Sequence, residues 1–359
     1  MSAAPELGPA PVRVLIVDDS PFMRLVLRRI LSEDDRFRVV GTASDGLDAL
    51  AQARELQPDV ITMDVEMPRL DGVSAVRELM RVRPTPVVMV STLTRRGAET
   101  TLRALEVGAV DYVAKPSGDA RELVDLADEL RSAVLRAATS RPRSRPASAA
   151  PAPVDGRPRD DLDHGPADTV VVIGASTGGP PALTEVVAHL PHPLDAAVVI
   201  VQHMPPPFTE ALARRLDRLS PLPVREAADQ DGLWRNAILV APADYHLAIT
   251  PERSVRLERT PARHGVRPSV DVTLECVPSS FGSRSVAVVL TGMGRDGAEG
   301  ARAVEEAGGT VIVQDEASSV IYGMPKAAKE ATRRAIELPL EAIPTAIAAA
   351  VKKVQGKGR

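Results

Sequence analysis

The sequence predicts an α/β protein with two doubly wound, mostly parallel sheets, one in each half of the chain. In residues 12–136, short aliphatic runs alternate with amphipathic segments of helical period. The alternation returns after residue 168, where residues 170–173 are Val-Val-Val-Ile, as expected of a strand buried on both faces. Between the halves, residues 137–168 are rich in Pro, Ala and Arg without a period, which predicts a flexible linker.

Composition excludes several classes of protein. The chain has 359 residues, enough for two or three domains, and a net charge of -4 that argues against nucleic-acid binding. Aromatic residues make up 2%, which leaves few rings to stack on bases, and the single cysteine excludes an intrachain disulfide. Since no apolar run approaches the roughly 20 residues of a membrane span and no signal peptide opens the chain, we expect a cytoplasmic protein without membrane insertion.

Residues 12–136 are predicted to form the first domain, after an Ala/Pro-rich tail at 1–11. Five strands are predicted at 12–17, 37–41, 60–63, 87–90 and 109–113. Helices are predicted at 22–31, 46–55, 73–81, 98–107 and 120–135. Because a helix separates each strand from the next, the five strands are expected to form one parallel sheet.

Polar residues follow four of these strands. They are, in chain order, Asp18, Asp19, Asp64, Ser91 and Lys115. Ligands of doubly wound sheets gather at the carboxyl ends of the strands, so these side chains are expected to converge. Single solvated polar residues are common at strand ends, but four matched ends favour a common site. Three carboxylates would repel one another without a hard cation, and oxygen ligands suit Mg²⁺.

This arrangement resembles a two-component receiver domain over residues 12 to about 135. The resemblance implies that Asp64 accepts a phosphoryl group from a histidine kinase. The implied ligands of Mg²⁺ are Asp18, Asp19, Asp64 and the backbone carbonyl of Glu66. The metal would neutralise charge on the transferring group.

The same resemblance assigns three further roles. It implies that Lys115 pairs with the phosphoryl oxygens and that Ser91 donates a hydrogen bond to them when the domain switches. Tyr112 matches the aromatic switch position.

Residues 169–355 are predicted to form the second domain. Buried strands are predicted at 170–173, 197–201, 286–290 and 311–313. Residues 223–257 contain short strands and turns and are expected to form a small antiparallel appendage. Helices are expected to begin near residue 180, after Ser269 as N-cap, and near residue 324, and an amphipathic helix is expected at 340–354.

Three strands of this domain end in groups typical of a serine hydrolase. Ser176 follows the first in a Gly-x-Ser-x-Gly turn, His203 follows the second, and Asp296 follows the third. If the strands are parallel in one sheet, the three side chains project into one crevice, where a base and an orienting acid would activate the hydroxyl. The backbone amides of Met293 and Thr177 are candidates for stabilising an oxyanion.

Alternatives to this interpretation stay open. Asp315 also follows a strand and competes with Asp296 as the orienting acid. Residues 174–179 could instead bind a nucleotide or phosphate in a phosphorylation-controlled binding module, with Ser176 only capping a helix. A dinucleotide site would need an acidic residue about 20 positions later at a second strand end, which is absent here. A DNA-binding output lacks a helix-turn-helix signal and a basic face.

Four motifs of the second domain carry a second resemblance. Gly-Ala-Ser-Thr-Gly-Gly, Gln-His-Met-Pro-Pro, Arg-Pro-Ser-Val-Asp and Gly-Met-Gly-Arg-Asp-Gly are similar to those of the chemotaxis protein-glutamate methylesterase family. Their order, with the receiver in front, extends the resemblance over nearly the whole chain. The family's catalytic triad maps onto Ser176, His203 and Asp296. The long Pro-rich linker is the one clear departure from the family.

This second resemblance implies an activity and its regulation. The expected substrates are glutamate γ-methyl esters on the cytoplasmic helices of chemoreceptors, and some family members also deamidate glutamines there. The receiver is expected to block the active site until Asp64 is phosphorylated. The catalytic domain is expected to need no cofactor, and the protein is expected to be a monomer.

Overall fold

The structure, a computed structural model, describes residues 10–116, 120–140 and 165–356. These residues fall into two compact units, divided between residues 147 and 148. Residues 1–9 of the predicted tail and 141–164 of the predicted linker lie outside the described residues. Among the residues that the structure describes, no helix is both long and apolar enough to span a membrane.

The first unit contains a five-stranded parallel sheet. Its strands are β1 (Val12–Val17), β2 (Phe37–Ala43), β3 (Val60–Asp64), β4 (Val87–Thr92) and β5 (Asp111–Lys115). They lie in the order β2-β1-β3-β4-β5, and all neighbouring pairs are parallel. The helices are α1 (Pro21–Ser32), α2 (Gly46–Leu56), α3 (Gly72–Val82), α4 (Arg95–Glu106) and α5 (Ala120–Thr139). The predicted five-stranded doubly wound class is confirmed.

Side-chain caps fix where four of these helices begin. Ser20, Asp45, Asp71 and Thr94 each accept a hydrogen bond from a backbone N–H in the first turn of α1, α2, α3 or α4. Each of these residues lies in the connection between a strand and the following helix. The caps therefore hold in place the loops at the carboxyl ends of the strands.

The second unit contains a seven-stranded sheet and a separate hairpin. Its strands are β6 (Val170–Ala175), β7 (Ala197–Gln202), β8 (Val224–Glu226), β9 (Ala237–Val240), β10 (His246–Ile249), β11 (Val255–Glu258), β12 (Ser285–Val289), β13 (Thr310–Gln314) and β14 (Ile336–Leu338). The large sheet has the order β14-β13-β12-β6-β7-β9-β8 with parallel pairs throughout, and β10 and β11 pair antiparallel. The antiparallel appendage is thus only β10 and β11, since β8 and β9 belong to the parallel sheet.

Six helices flank this sheet. They are α6 (Gly179–Ala188), α7 (Phe208–Leu219), α8 (Val270–Phe281), α9 (Ala298–Glu306), α10 (Met324–Ala331) and α11 (Ile343–Gly356). Helix α8 packs on β6 and α9 through Val270 and Leu274, both fully buried. Gly174 permits this close approach, because a Cβ there would overlap the Val270 side chain.

The strand order places a crevice at the centre of the second sheet. From β6 the chain proceeds on one side to β7 and later returns on the other side to β12. The connections on the two sides of β6 therefore diverge at its carboxyl end. Ligands of open α/β sheets bind at such a reversal. The loops after β6, β7 and β12 are the ones that carry Ser176, His203 and Asp296.

Candidate active site

The first unit has an acidic pocket at the ends of β1, β3 and β5. Lys115 Nζ lies 2.9 Å from Asp18 Oδ2 and 2.8 Å from Asp64 Oδ2. Asp18, Asp19 and Asp64 each offer an oxygen within 4.8 Å of the others. Oxygen donors at this spacing fit a hard divalent cation, so the residues present fit the expected Mg²⁺.

Burial sets the protonation of the predicted phosphoacceptor. Desolvation, together with the charge of Asp18, raises the pKa of Asp64 to about 6, although Lys115 and the Val65 N–H act in the opposite direction. A divalent cation would offset the repulsion between the two carboxylates. Without an added cation, the negative charges of these carboxylates are therefore only partly offset.

The other residues expected at this site lie around the pocket. Ser91 is buried in β4 and pairs in register with Ala114, the residue before Lys115. Tyr112 is buried in β5. The Glu66 side chain is 71% exposed beside Arg96. The role predicted for Glu66 uses its backbone carbonyl and not this side chain. These roles stay predictions.

In the second unit, a tight turn presents Ser176 between β6 and α6. The Ser176 N–H donates to the Thr291 carbonyl at 3.0 Å, and the Gly179 N–H donates to the Ser176 carbonyl at 2.7 Å. Gly178 has φ of +75°, which suits glycine and lets the chain reverse here. A Cβ on Gly292 would lie 2.8 Å from Ser176 Cβ, so the loop after β12 lies directly against the serine.

His203 occupies the adjacent strand end. Because Ala175 pairs with Gln202 in register, Ser176 and His203 are the next residues along two neighbouring strands. The His203 N–H donates to the Ala175 carbonyl at 3.2 Å. The buried Gln202 amide connects the two residues, since its Nε2 donates to the Ser176 carbonyl at 3.0 Å and to the His203 carbonyl at 3.1 Å.

Asp296 is the carboxylate that contacts this imidazole. His203 Nε2 lies 2.8 Å from Asp296 Oδ2, and their side chains are only 11% and 3% exposed. A carboxylate accepts hydrogen bonds, so Nε2 carries the proton and Nδ1 is left to act as the base. The roles of His203 as base and Asp296 as orienting acid stay predictions, which this contact supports.

The first turn of α8 holds the Asp296 carboxylate. Asp296 accepts hydrogen bonds from Ser269 Oγ at 2.7 Å, from the Val270 N–H at 2.7 Å and from the Asp271 N–H at 2.9 Å. A helix N-terminus favours a negative charge through its unpaired amides and its dipole. The sequence predicts Ser269 only as an N-cap, and its contact with Asp296 is a feature of the tertiary structure.

These contacts determine the ionisation of Asp296. Burial alone would raise its pKa, but the hydrogen bond and charge of His203 and the donors from Asp271 and Ser269 outweigh it and lower the pKa of Asp296 to about 2. The carboxylate is therefore ionised at neutral pH. An ionised orienting acid stabilises the imidazolium that forms during catalysis.

The lowered pKa predicts an acid-dependent loss of stability. In the unfolded chain an aspartate titrates near about pH 4. Since the folded pKa is lower, Asp296 stabilises the fold above about pH 4, and roughly 2 kcal/mol is lost as the pH falls towards 2. Urea unfolding from pH 6 to 2 should show this loss in wild type but not in Asp296→Asn. Parallel pH curves for the two proteins would contradict it.

The competing acid and the other histidines have different partners. Asp315 Oδ1 accepts from the Ser318 N–H at 2.8 Å and from Ser318 Oγ at 2.6 Å, whereas His203 bonds Asp296. His246 is fully buried, with Nδ1 accepting from the Ser269 N–H at 3.2 Å. His264 lies 2.9 Å from Asp271. The geometry therefore favours Asp296 over Asp315.

The two predicted oxyanion donors lie in the loops beside Ser176. Thr177 is buried and its carbonyl accepts from Thr291 Oγ1 at 3.0 Å, which joins the turn after β6 to the loop after β12. Met293 is 57% exposed in that loop. Donation by these two amides to an oxyanion stays a prediction.

Together these features define the class of the protein. A receiver-type sheet with an acidic pocket precedes a parallel sheet with serine, histidine and aspartate at neighbouring strand ends. The protein is therefore a response regulator whose output unit is a hydrolase. Family models agree with both halves: response regulator receiver domain over residues 14–128 and CheB methylesterase over residues 171–347.

Curated relatives extend this likeness over nearly the whole chain. A protein-glutamate methylesterase/protein-glutamine glutaminase of Symbiobacterium thermophilum is 49% identical, with 95% of this chain and 97% of that protein aligned. One of Pyrococcus abyssi is 41% identical, covering 97% and 95%. The Thermotoga maritima CheB methylesterase catalytic domain is 40% identical, covers 50% of this chain and 97% of its own, and has a TM-score of 0.48. The chain belongs to the protein-glutamate methylesterase/protein-glutamine glutaminase family.

Proposed function

We propose that the protein is a phosphorylation-regulated serine esterase that hydrolyses glutamate γ-methyl esters on the cytoplasmic helices of chemoreceptors. The 2.8 Å contact between His203 and Asp296, beside the strand end that carries Ser176, is the observation that supports it most. A histidine kinase is the proposed phosphodonor, and Mg²⁺ is the proposed cofactor of the receiver unit. A cytoplasmic location and a monomeric state are part of the proposal.

The proposed chemistry follows from the bonding of His203. Its Nε2–H donates to Asp296, so Nδ1 takes the proton from Ser176 Oγ as the oxygen attacks the ester carbonyl. The oxyanion that forms would accept hydrogen bonds from backbone amides, with those of Met293 and Thr177 proposed. His203 then returns its proton to the leaving methoxide, and methanol departs from the acyl-serine.

Water completes the cycle. His203 takes a proton from water, the hydroxide attacks the acyl-serine, and the glutamate product leaves as Ser176 recovers its proton. The same attack on a glutamine side chain would release ammonia in place of methanol. Deamidation is therefore proposed as a second use of the same three groups, in line with the glutaminase name of the relatives.

Methanol release is the direct test of the proposed function. The full-length protein is incubated with a chemoreceptor cytoplasmic fragment whose methyl esters carry a tritium label, in the presence of Mg²⁺ and acetyl phosphate. The proposal predicts volatile tritium at a rate proportional to the enzyme concentration. A rate equal to the buffer blank would contradict it. Mass spectrometry of receptor glutamines in the same samples tests deamidation separately.

Regulation is proposed to act through Asp64. The unphosphorylated receiver would block access to the esterase site, and phosphorylation would relieve the block. Asp18, Asp19 and Asp64 would hold Mg²⁺, which neutralises charge on the phosphoryl group, while Lys115 pairs with its oxygens. A near-complete switch needs a difference of roughly 5.5 kcal/mol between the two arrangements.

Replacement of Asp64 tests this regulation. In wild type, acetyl phosphate with Mg²⁺ should raise methanol release at least about tenfold, a shift of about 1.4 kcal/mol. In Asp64→Asn the rate should not respond, because the carboxylate that accepts the phosphoryl group is gone. Asp35→Asn, at an exposed aspartate of the same unit, is the matched control and should respond like wild type. Equal stimulation of the Asp64 variant would overturn the regulatory proposal.

A further inference from the structure

A second acid–imidazole pair lies behind Asp296. Asp271, in the first turn of α8, is fully buried. Its Oδ2 lies 2.9 Å from His264 Nε2, and its Oδ1 accepts from the Gly300 N–H at 2.8 Å. Its own backbone N–H donates to Asp296 Oδ1 at 2.9 Å. One residue thus connects the loop before α8, the start of α9 and the orienting acid.

The carboxylates around Asp271 are satisfied by hydrogen-bond donors of the protein. His264, Asp271 and Asp296 offer ligand atoms within 4.8 Å of one another. Both oxygens of Asp296 and both oxygens of Asp271 already accept hydrogen bonds from the protein, as described above. Because the acceptors face N–H and O–H donors, the cluster is a hydrogen-bonded network that needs no metal to satisfy it.

The proximity of two buried carboxylates carries an electrostatic cost. Burial, followed by the charge of Asp296, raises the pKa of Asp271, while Gly300, His264 and Arg263 oppose the rise. Arg263 is itself paired with Glu275 and Glu299. The charged and titratable groups around Asp271 are therefore Asp296, His203, His264, Arg263, Glu275 and Glu299. An uncharged residue of the same shape would avoid the repulsion.

We propose that Asp271, held by His264, is a positioning residue of the esterase reaction. It fixes the first turn of α8 against Asp296, so that the donors of this turn keep the carboxylate in place opposite His203 Nε2. Asp271 touches no reacting atom and acts through Asp296. The inference rests on the proposed function for its kinetic consequence, but its effect on His203 can be measured without substrate.

The Asp271→Asn variant breaks the contact with His264 at nearly unchanged volume. The amide oxygen can still accept from the Gly300 N–H, but the amide N–H₂ cannot accept the hydrogen bond of His264. The NMR signal of the His203 Nε2–H, assigned by its absence in His203→Gln, reports the contact with Asp296 and should shift upfield in Asp271→Asn as that contact loosens. Glu306→Gln is the control, since it removes an equal charge at an exposed position of α9 and should leave the signal unchanged. An identical signal in wild type and Asp271→Asn would overturn the proposal, whether or not the protein is an esterase.

Kinetics provide the second arm. In Asp271→Asn, kcat for methanol release should fall at least about tenfold with KM little changed, because a small misplacement of catalytic groups is costly. His264→Gln keeps an N–H donor and should retain more activity than His264→Ala. If Asp271→Asn does not fold, the two His264 variants test the proposal instead. Equal rates of methanol release in His264→Gln and His264→Ala would overturn it. Absence of methanol release in wild type would refute the proposed function, and the His203 Nε2–H signal would still test the role of Asp271.

Discussion

Replacing Ser176 with alanine should lower methanol release by about 10⁶-fold, which is the loss expected when the nucleophile of a serine hydrolase is removed. The turn that carries Ser176 is held by backbone contacts with Thr291 and Gly179, so the variant should fold normally. The measurement is the tritium assay described above, with circular dichroism as the check on folding.

A second serine provides the matched control for this change. Ser279 is exposed in α8, and its hydroxyl donates to the Cys276 carbonyl. Ser279→Ala should release methanol at the wild-type rate. If folded Ser176→Ala keeps more than a tenth of the wild-type rate, Ser176 is not the nucleophile and the proposed mechanism fails.

Asp296→Asn should lower kcat by about 10⁴-fold, as the equivalent change does in a serine protease triad. The side-chain amide of this variant directs its NH₂ group either at His203 or at the backbone N–H groups of α8. When it faces His203, it donates a hydrogen bond where the carboxylate accepted one, and this favours the wrong imidazole tautomer. It also removes the negative charge that stabilises the imidazolium. The measurement is kcat for methanol release near neutral pH.

Asp315→Asn distinguishes the two candidate acids. Asp315 also follows a strand, but it accepts hydrogen bonds from Ser318. Its replacement should reduce kcat by less than about tenfold, because His203 keeps its Asp296 partner. A larger loss in Asp315→Asn than in Asp296→Asn would reverse the assignment of the orienting acid.

The sequence predicted the strands well because apolar runs mark buried strands, and it predicted their ends less well. The fifth strand was expected at 109–113 and lies at Asp111–Lys115. Ala109 and Val110 are buried, but the Ala109 N–H bonds the Ala104 carbonyl in the turn that follows α4. Hydrophobicity reports burial, and it does not distinguish a buried turn from a strand.

The predicted antiparallel appendage is longer than the observed hairpin for a related reason. Short strands separated by turns predict hairpins, yet β8 and β9 pair in parallel and extend the large sheet beyond β7. The partner of a short strand depends on the edge of the sheet that is available, which is a tertiary property. Only β10 and β11 form the expected hairpin.

The strand ends alone leave Asp296 and Asp315 as rivals, because both follow apolar strands, and the family motifs favour Asp296. The sheet order supports Asp296, since β12 is adjacent to β6, whereas β13 lies one strand further from β7 and His203. The hydrogen bonds from α8 to Asp296 were also not predictable from the sequence. The donor residues precede Asp296 by more than 20 residues, and an N-cap motif does not show which distant carboxylate the helix N-terminus will contact.

In the proposed mechanism, His203 and Asp296 activate Ser176 as one unit. Reaction with a fluorophosphonate, followed by peptide mass spectrometry, measures this directly, because such reagents react covalently with activated serines and need no receptor. We predict labelling of Ser176 in wild type and a large, similar loss of labelling rate in His203→Gln and Asp296→Asn. Labelling of another serine, or an unchanged rate at Ser176 in His203→Gln, would contradict the account.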